Sequence, residues 1–285
     1  MDDMLAHVCD WLYIKTVILD MVNTPTTRPS LGLANWMGVK TLYVKEVQRF
    51  FKIFSQTLIA PVITTLLFLA VFSVIFGSNR MVDGIPYVVF LGPGLIMMTI
   101  LQTSFANTST SLIQQKLNES IVDVLMPPLS PLELSIGYIL GGATRGVLVA
   151  ISVGLTLILI IPIGVHSVIF VIIYGLGAAS VMSAIGMIAG IWAEKFDHVS
   201  TVTNFIILPL SFLSGTFFSV ERFPDILRTF SYFNPFFYLI DGFRYGFTGY
   251  SDGSLVVGLA VIVVSNIMLW LACYFLLQNG YKLKT

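Results

Sequence analysis

The chain has 285 residues, of which 56% are hydrophobic and only 11% are charged. Soluble globular domains carry roughly 25% charged residues, so this composition excludes a soluble domain and predicts a protein built for lipid. Fifteen basic and fifteen acidic residues cancel. The chain therefore has no net positive charge, and its composition does not indicate a nucleic-acid partner.

The first segment, residues 1–33, is predicted to be a cytoplasmic tail. It carries four aspartates and lacks an uninterrupted apolar run, which is the wrong pattern for a cleaved secretion signal. Cys9 lies in this tail and Cys273 in the last apolar run. A disulfide between the two is not expected.

Residues 35–55 are predicted to form an amphipathic helix on the membrane surface. Aromatic and apolar residues recur at helical spacing on one face, whereas Lys45, Gln48, Arg49 and Lys52 occupy the other. Such a helix places its aromatic side among the headgroups and its cations near anionic lipid. It serves either as an anchor and orientation signal alone, or also as a contact for a cytoplasmic partner.

Six apolar stretches are long enough to cross a hydrocarbon layer roughly 30 Å thick, which takes about 20 residues of helix. They are residues 57–77, 87–107, 134–162, 168–193, 201–220 and 255–277. The predicted fold is all-α, a polytopic membrane protein. Its transmembrane domain covers residues 34–280, and residues 281–285 form a short cytoplasmic tail.

The orientation follows from Lys and Arg, which cytoplasmic loops retain preferentially. Cations on one predicted side are Lys40, Lys45, Arg49, Lys52, Lys116, Lys195, Lys282 and Lys284. The opposite side carries fewer cations over more residues, namely Arg80, Arg222, Arg228 and Arg244. Both termini are therefore predicted to be cytoplasmic.

The inner loop between the second and third spans, residues 116–133, resembles a docking element. An apolar stripe beside two acids is followed by prolines that stop the helix. The positions are Glu119, Ile121, Val122, Asp123, Leu125 and Met126. A short rigid helix at a membrane face suits docking into a groove on another protein, although many membrane loops contain a similar turn.

The outer connection, residues 212–250, is rich in Phe and Tyr and is interrupted by Asn234 and Pro235. Aromatic, broken helices of this kind sit in the interface or re-enter the membrane, where protein satisfies their backbone groups. Asp241 and Arg244 are three residues apart, a spacing that allows pairing on one helix face. A structural ion pair is favoured over a lock on an outer gate.

Five motifs carry a resemblance to a known family. They are LGPGLIMM (91–98), LMPPLSPLEL (125–134), GGATRG (141–146), FLSGTFFS (212–219) and NPFFYLIDGFRYGF (234–247). Their order and spacing resemble the ABC type-2 permease family, the membrane subunits of bacterial exporters for drugs, lipids and polysaccharides. The resemblance begins near Trp36 and reaches the C-terminus.

The resemblance implies an inner-membrane permease subunit with both ends inside, a coupling helix between the second and third spans, and re-entrant helices before the sixth. It also implies two kinds of partner, a second permease copy, expected to be identical, and separate ATPase subunits. The chain itself contains no Gly-Lys pair, which a phosphate-cradling loop of the Walker type requires. The protein is therefore not expected to be an enzyme.

Arg145 interrupts an apolar stretch, and a cation at mid-bilayer costs at least ~2.5 kcal/mol on insertion scales. If the third span enters lipid near Leu134, Arg145 faces a cavity or a partner helix. If it enters near Gly146, Arg145 reaches the cytoplasmic surface. The surface interpretation is favoured, because the run that continues to Pro162 is nearly long enough to cross.

Other polar positions in the spans offer a path or a helix contact. Gln102 gives the second span a polar face that is expected to meet substrate. Ser214 and Gly215 suit a fifth span that lines a dimer interface, and close helix packing explains them equally well. The spans contain no strongly charged pocket in this interpretation, which favours an amphipathic or lipid-like cargo over a small ion.

Two other functions are weighed against an ATP-driven permease. A secondary transporter usually places paired acids or broken helices near the midplane, and these spans hold almost no acids. A membrane enzyme needs convergent His, Asp or Glu side chains, whereas His7, His166 and His198 are far apart in sequence and predicted on different sides. No metal or cofactor is expected.

Overall fold

A computed structural model describes residues 35–76, 81–82 and 84–282. The predicted tail at 1–33 with Cys9, the loop cation Arg80 and the final residues 283–285 lie outside the described residues. From Trp36 onward, the described residues belong to one unit.

Helices dominate the described residues. In chain order the elements are α1 Trp36–Phe51, α2 Ser55–Phe76, β1 Met81–Val82, β2 Ile85–Pro86, α3 Tyr87–Leu117, α4 Ile121–Leu125, α5 Pro131–Ile160, α6 Val168–Trp192, α7 Phe196–Leu213, α8 Asp225–Phe233, α9 Pro235–Thr248 and α10 Leu255–Gln278. The two short strands pair antiparallel, with Met81 opposite Pro86. They close the connection between α2 and α3.

Six helices, α2, α3, α5, α6, α7 and α10, are long and apolar enough to cross a membrane. They confirm the predicted all-α, polytopic membrane fold. The predicted second span ended at residue 107, whereas α3 continues to Leu117. Its last third is polar but buried against other helices, so the change in hydropathy there does not end the helix.

The fifth span also differs from its predicted bounds, 201–220. α7 begins at Phe196 and ends at Leu213. The chain turns at Gly215, whose φ of 78° lies in the left-handed region that favours glycine. Ser214 and Gly215 therefore lie in the turn after α7 and not within a span.

The third span begins earlier than the predicted residue 134, at Pro131. Ser130 Oγ accepts a hydrogen bond from the Glu133 backbone N–H (3.3 Å), and the Glu133 carboxylate accepts one from the Ser130 N–H (2.7 Å). This reciprocal capping box satisfies two backbone donors at the start of α5. Pro131 at the first helical position costs no hydrogen bond.

The helices α3 and α6 form the centre of the bundle, and the buried core lies around them. Gly186 and Gly190 of α6, four residues apart, face the backbone of α3. A Cβ at Gly186 would lie 3.1 Å from the carbonyl carbon of Phe105, and one at Gly190 would lie 3.0 Å from the Ser109 oxygen. Small residues at this spacing allow two membrane helices to approach closely.

Candidate functional site

The C-terminal ends of α3, α6 and α10 meet at one end of the bundle, beside α4. We call this end the inner face, after the predicted orientation. Lys116 Nζ, on α3, donates to the backbone oxygens of Ile191 (2.8 Å) and Ala193 (2.5 Å) at the end of α6. Lys116 is buried at the end of α3, whereas the sequence predicted it in the inner loop between the second and third spans. A cation at the end of α6 caps its free carbonyl groups and its negative dipole end.

An exposed ion pair joins the end of α10 to the same face. Lys282 Nζ lies 2.6 Å from Glu194 Oε1. Its hydrogen bond and its charge lower the pKa of the Glu194 carboxyl, and the carboxylate in turn raises the pKa of Lys282. Both groups are solvent-exposed, so salt screens this attraction.

The short helix α4 has two different faces. Ile121 and Val124 are buried, 7% and 6% exposed, within the apolar cluster of the inner half of the bundle. Val122, Leu125 and Met126 are exposed at 53%, 37% and 76%. Ile121, predicted as part of a single docking stripe, therefore anchors α4 to its own chain. The other three present an apolar surface outward.

The bend before α4 is fixed by backbone geometry. Glu119 has a φ of 56°, in the left-handed region that costs a residue with a side chain about 1–2 kcal/mol. Such a conformation persists only where the surroundings determine it. The side chains of Glu119 and Asp123 are exposed, so both acids remain on the surface beside the apolar face.

A buried polar network joins α1 to α3 and α5. The Glu46 carboxylate, on α1, is fully buried and accepts from Ser111 Oγ (2.6 Å) and Gln115 Nε2 (3.4 Å) on α3. Tyr138 of α5 donates to Gln115 Oε1 at 2.6 Å. Arg49, predicted on the outward polar face of α1, instead turns inward and pairs with Glu46 at 3.1 Å.

Arg145 lies beside this network. Arg49 donates to the Asn107 side-chain oxygen at 2.9 Å and to its backbone oxygen at 2.7 Å. Arg145 Nη1 reaches the same side-chain oxygen at 3.5 Å. Two guanidinium groups thus converge on one amide. Among the residues that the structure describes, Glu46 is the carboxylate hydrogen-bonded to this network, and it pairs with Arg49.

The depth of Arg145 follows from helix rise. At 1.5 Å per residue, Arg145 lies about 22 Å along α5 from Ile160, and Asn107 lies about 30 Å along α3 from Tyr87. Measured from those two helix ends, a 30 Å hydrocarbon layer ends near Asn107 and extends about 8 Å beyond the Arg145 position, whose guanidinium points toward Asn107. The Arg145 side chain faces protein, and the surface interpretation stays a prediction.

Arg145 lines a crevice of about 320 Å³ between α2, α3 and α5. Most of its polar lining is Gln56, Thr64, Thr99, Gln102, Thr103 and Arg145. Gln102, predicted to face substrate, lies here, and its Nε2 is buried with no hydrogen-bond partner among the described residues. Leu95, Met98 and Phe68 add apolar side chains to the lining of the crevice.

At the opposite end, Asn234 organises the start of α9. Its side-chain oxygen accepts from the Phe236 backbone N–H at 3.0 Å, and Pro235 occupies the first helical position. Its amide nitrogen donates to Leu210 oxygen (3.0 Å) and to Ser214 Oγ (2.7 Å). The structure thus brings together predicted residues from α9 and from the turn after α7.

Arg244 and Asp241 do not form the expected ion pair. The guanidinium of Arg244 is buried, lies 3.8 Å from the ring centroid of Phe90, and donates to the Gly215 oxygen at 2.5 Å. Asp241 accepts from two backbone N–H groups of the loop before α10, at 2.8 and 3.0 Å. Each charge holds a separate backbone turn, which helical spacing alone does not predict.

Comparison with known proteins assigns the chain to a family. Residues 37–248 match the model of the ABC-2 type transporter family. The chain is 36% identical over 252 residues to an inner membrane transport permease, YadH, of Escherichia coli (strain K12), covering 88% of this chain and 98% of that protein. The same figures hold for the YadH permease of Shigella flexneri.

A more distant similarity extends to nodulation protein J of Sinorhizobium fredii (strain NBRC 101917 / NGR234). The identity is 22% over 214 residues, which cover 74% of this chain and 82% of that protein. The resemblance first indicated by five motifs is confirmed by the family match. The chain therefore belongs to the ABC-2 type transporter family and is a multi-pass membrane permease of an ABC transporter.

Proposed function

We propose that this chain is the membrane subunit of an ATP-driven exporter in the inner membrane, with both termini cytoplasmic. Two copies form the translocation path, and separate ATPase subunits drive it. The observation that supports this proposal most directly is the exposed apolar face of α4. Val122, Leu125 and Met126 lie on that face, while the other face of α4 is packed against the bundle. A rigid apolar ridge flanked by acids suits a groove on a partner protein.

The same helix offers a route for mechanical coupling. Ile121 and Val124 pack in one apolar cluster with Leu112 of α3 and Tyr138 of α5. A partner that pushes on α4 therefore pushes on two spans. Alternating access then follows as a shift of population between inward and outward states, biased by contacts that differ between the ATP-bound and ATP-free partner.

Two alternatives are weighed against this proposal, an ion-gradient transporter and a membrane enzyme. A carboxylate suited to coupling an ion gradient would lie free in a path, but the buried Glu46 is engaged by Ser111, Gln115 and Arg49. For an enzyme, residues 35–76, 81–82 and 84–282 contain no group of three or more His, Cys, Asp or Glu that could hold a metal ion. The match to the ABC-2 type transporter family supports an ATP-driven permease over both alternatives.

The test is capture of an ATPase from native membranes through an affinity tag on this chain. The captured fraction should contain a polypeptide with a phosphate-binding loop and should hydrolyse ATP. Replacing Val122 and Leu125 by Asp should abolish capture, because two carboxylates would be buried in the apolar contact. Val165→Asp, an equally exposed valine in the loop between α5 and α6, is the matched control and should leave capture unchanged.

A further inference from the structure

The crevice between α2, α3 and α5 holds a charge that the described residues do not balance. Arg145 has one hydrogen-bond partner among them, the Asn107 side-chain oxygen at 3.5 Å, and shares that oxygen with Arg49. The ion pairs of the described residues are Glu46–Arg49, Asp225–Arg228 and Glu194–Lys282. Arg145 is in none of them. A cation withdrawn from water is ordinarily paired or neutralised, so this one calls for an anion.

Two residues that line the crevice also carry hydrogen-bond donors without a partner among the described residues. Arg145 Nε and Gln102 Nε2 are both buried, and neither has a partner among the described residues. Buried donors in native proteins are almost always satisfied. The threonines beside them donate to their own helix backbones, as Thr99 does to the Ile96 oxygen at 2.7 Å and Thr103 to the Thr99 oxygen at 2.6 Å. Their hydroxyl oxygens can accept hydrogen bonds. Among the described residues that line the crevice there is no carboxylate.

The shape of the crevice adds a second half to the ligand. Leu95, Met98 and Phe68 line it together with the polar groups. Its volume of about 320 Å³ is at the lower end of the range for small-molecule sites. The guanidinium reaches Asn107, about 30 Å of helix rise from Tyr87, and a lipid headgroup lies at that distance from the far side of a 30 Å hydrocarbon layer.

We propose that this crevice binds an amphiphile with an anionic headgroup. Arg145 and Gln102 hold the phosphate or carboxylate oxygens, and the apolar part lies against Leu95, Met98 and Phe68. A guanidinium is suited to this role because its planar fork donates two hydrogen bonds to one anion. That the bound amphiphile is the cargo of the exporter rests on the proposed function; the binding site itself does not.

The test uses the purified full chain in a non-ionic detergent, without any ATPase. Native mass spectrometry measures binding of phosphatidylglycerol and of phosphatidylcholine with identical acyl chains. The wild type should prefer phosphatidylglycerol. Arg145→Gln should weaken phosphatidylglycerol binding at least about tenfold, the effect of losing a charge-assisted hydrogen bond, and should leave phosphatidylcholine binding unchanged. Lys45→Gln, which removes an exposed cation of α1, controls for general attraction of anionic lipid.

A second variant keeps the inference testable if Arg145→Gln does not fold. Gln102→Glu is nearly isosteric and places a carboxylate in the same crevice, so it should supply a counter-ion for Arg145 and weaken phosphatidylglycerol binding without lowering the unfolding temperature. Arg145→Lys retains the charge and should retain most of the preference. Equal binding of the two lipids by the wild type, or an unaltered preference in both Arg145→Gln and Gln102→Glu, would overturn the proposal.

Two further outcomes identify a different occupant. If millimolar inorganic phosphate displaces phosphatidylglycerol, the crevice binds free anions and the amphiphile is wrong. If Arg145→Gln changes the ratio of monomer to dimer in the same spectra but not lipid binding, a second copy covers the crevice and the proposal fails. The lipid measurement contains no ATPase, so its result does not depend on the ATPase capture experiment. Either proposal can therefore fail while the other holds.

Discussion

Replacing Gly186 by Ala should separate the two central helices of the bundle. Gly186 faces the backbone of α3, where an added Cβ would lie 3.1 Å from both the Cα and the carbonyl carbon of Phe105, and closer to its oxygen. Ordinary van der Waals contact begins near 3.4 Å. Because the obstructing atoms are backbone, no side-chain rotation relieves the overlap. The α3–α6 spacing has to increase by several tenths of an ångström.

The magnitude follows from this displacement. A gap of about 0.5–1 Å forfeits a quarter to a half of the dispersion energy of the contacts it opens, and overpacking of this kind costs about 1–3 kcal/mol. Alanine is favoured over glycine in a helix by up to about 1 kcal/mol, which offsets part of the loss. The net expectation for Gly186→Ala is a destabilisation of about 1–2 kcal/mol.

Gly154→Ala is the matched control, because the same change in another span meets no obstacle. The nearest atom to a Cβ there is Ile96 Cδ1 at 3.7 Å, an ordinary contact. Intrinsic tryptophan fluorescence during heating in detergent gives the apparent unfolding temperature of each variant. Gly186→Ala should unfold a few degrees below the wild type and Gly154→Ala at or above it. Equal unfolding temperatures for the two variants would refute the close approach at Gly186.

Three further predictions concern helix ends and charge. Lys116→Met should lower the unfolding temperature by the equivalent of about 1–2 kcal/mol, because two charge-assisted hydrogen bonds to the end of α6 are lost. Ser130→Ala should cost about 1 kcal/mol through loss of the α5 capping box, whereas Ser120→Ala, at a position without a side-chain cap, should be neutral in the same heating experiment. Lys282 lowers the pKa of the Glu194 carboxyl. The contribution of this ion pair to the free energy of unfolding is therefore complete above the ordinary pKa of 4.5, and it is lost as the pH falls through the lowered pKa. When the pH is lowered from neutral to below 4.5, the unfolding temperature of Glu194→Gln should therefore fall less than that of the wild type. High salt should reduce this difference between the two proteins.

The spans were predictable because apolar length is a local property of the sequence. The start of α5 was equally local: Ser130, Pro131 and Glu133 form a recognisable capping signature, but hydropathy alone placed the start of the span at residue 134. The end of α7 was also marked, since Gly215 allows the left-handed turn that stops the helix. In both places turn and cap chemistry, more than hydropathy, sets the boundary.

The polar interior was not predictable from helical periodicity. Arg49 belongs to an exposed-looking charged face in sequence, yet its partner Asn107 comes from α3, more than fifty residues away. Glu46 lies on the same face of α1 as the apolar Val39 and Leu42, and its partner Ser111 also comes from α3. The sequence favoured an ion pair between Asp241 and Arg244 because the two are three residues apart. In the structure each side chain instead bonds a backbone turn from another part of the chain. Long-range packing decides which charges meet.

The most direct test of the coupling account is the ATP hydrolysis rate of the captured ATPase in proteoliposomes, measured alone, with this chain, and with the Val122→Asp/Leu125→Asp variant. If α4 transmits the partner's motion, the wild-type chain should change the rate and the double variant should return it to that of the ATPase alone, with Val165→Asp behaving as wild type. A rate that is the same with and without the chain, or solute movement by the chain in the absence of any nucleotide hydrolase, would contradict the account.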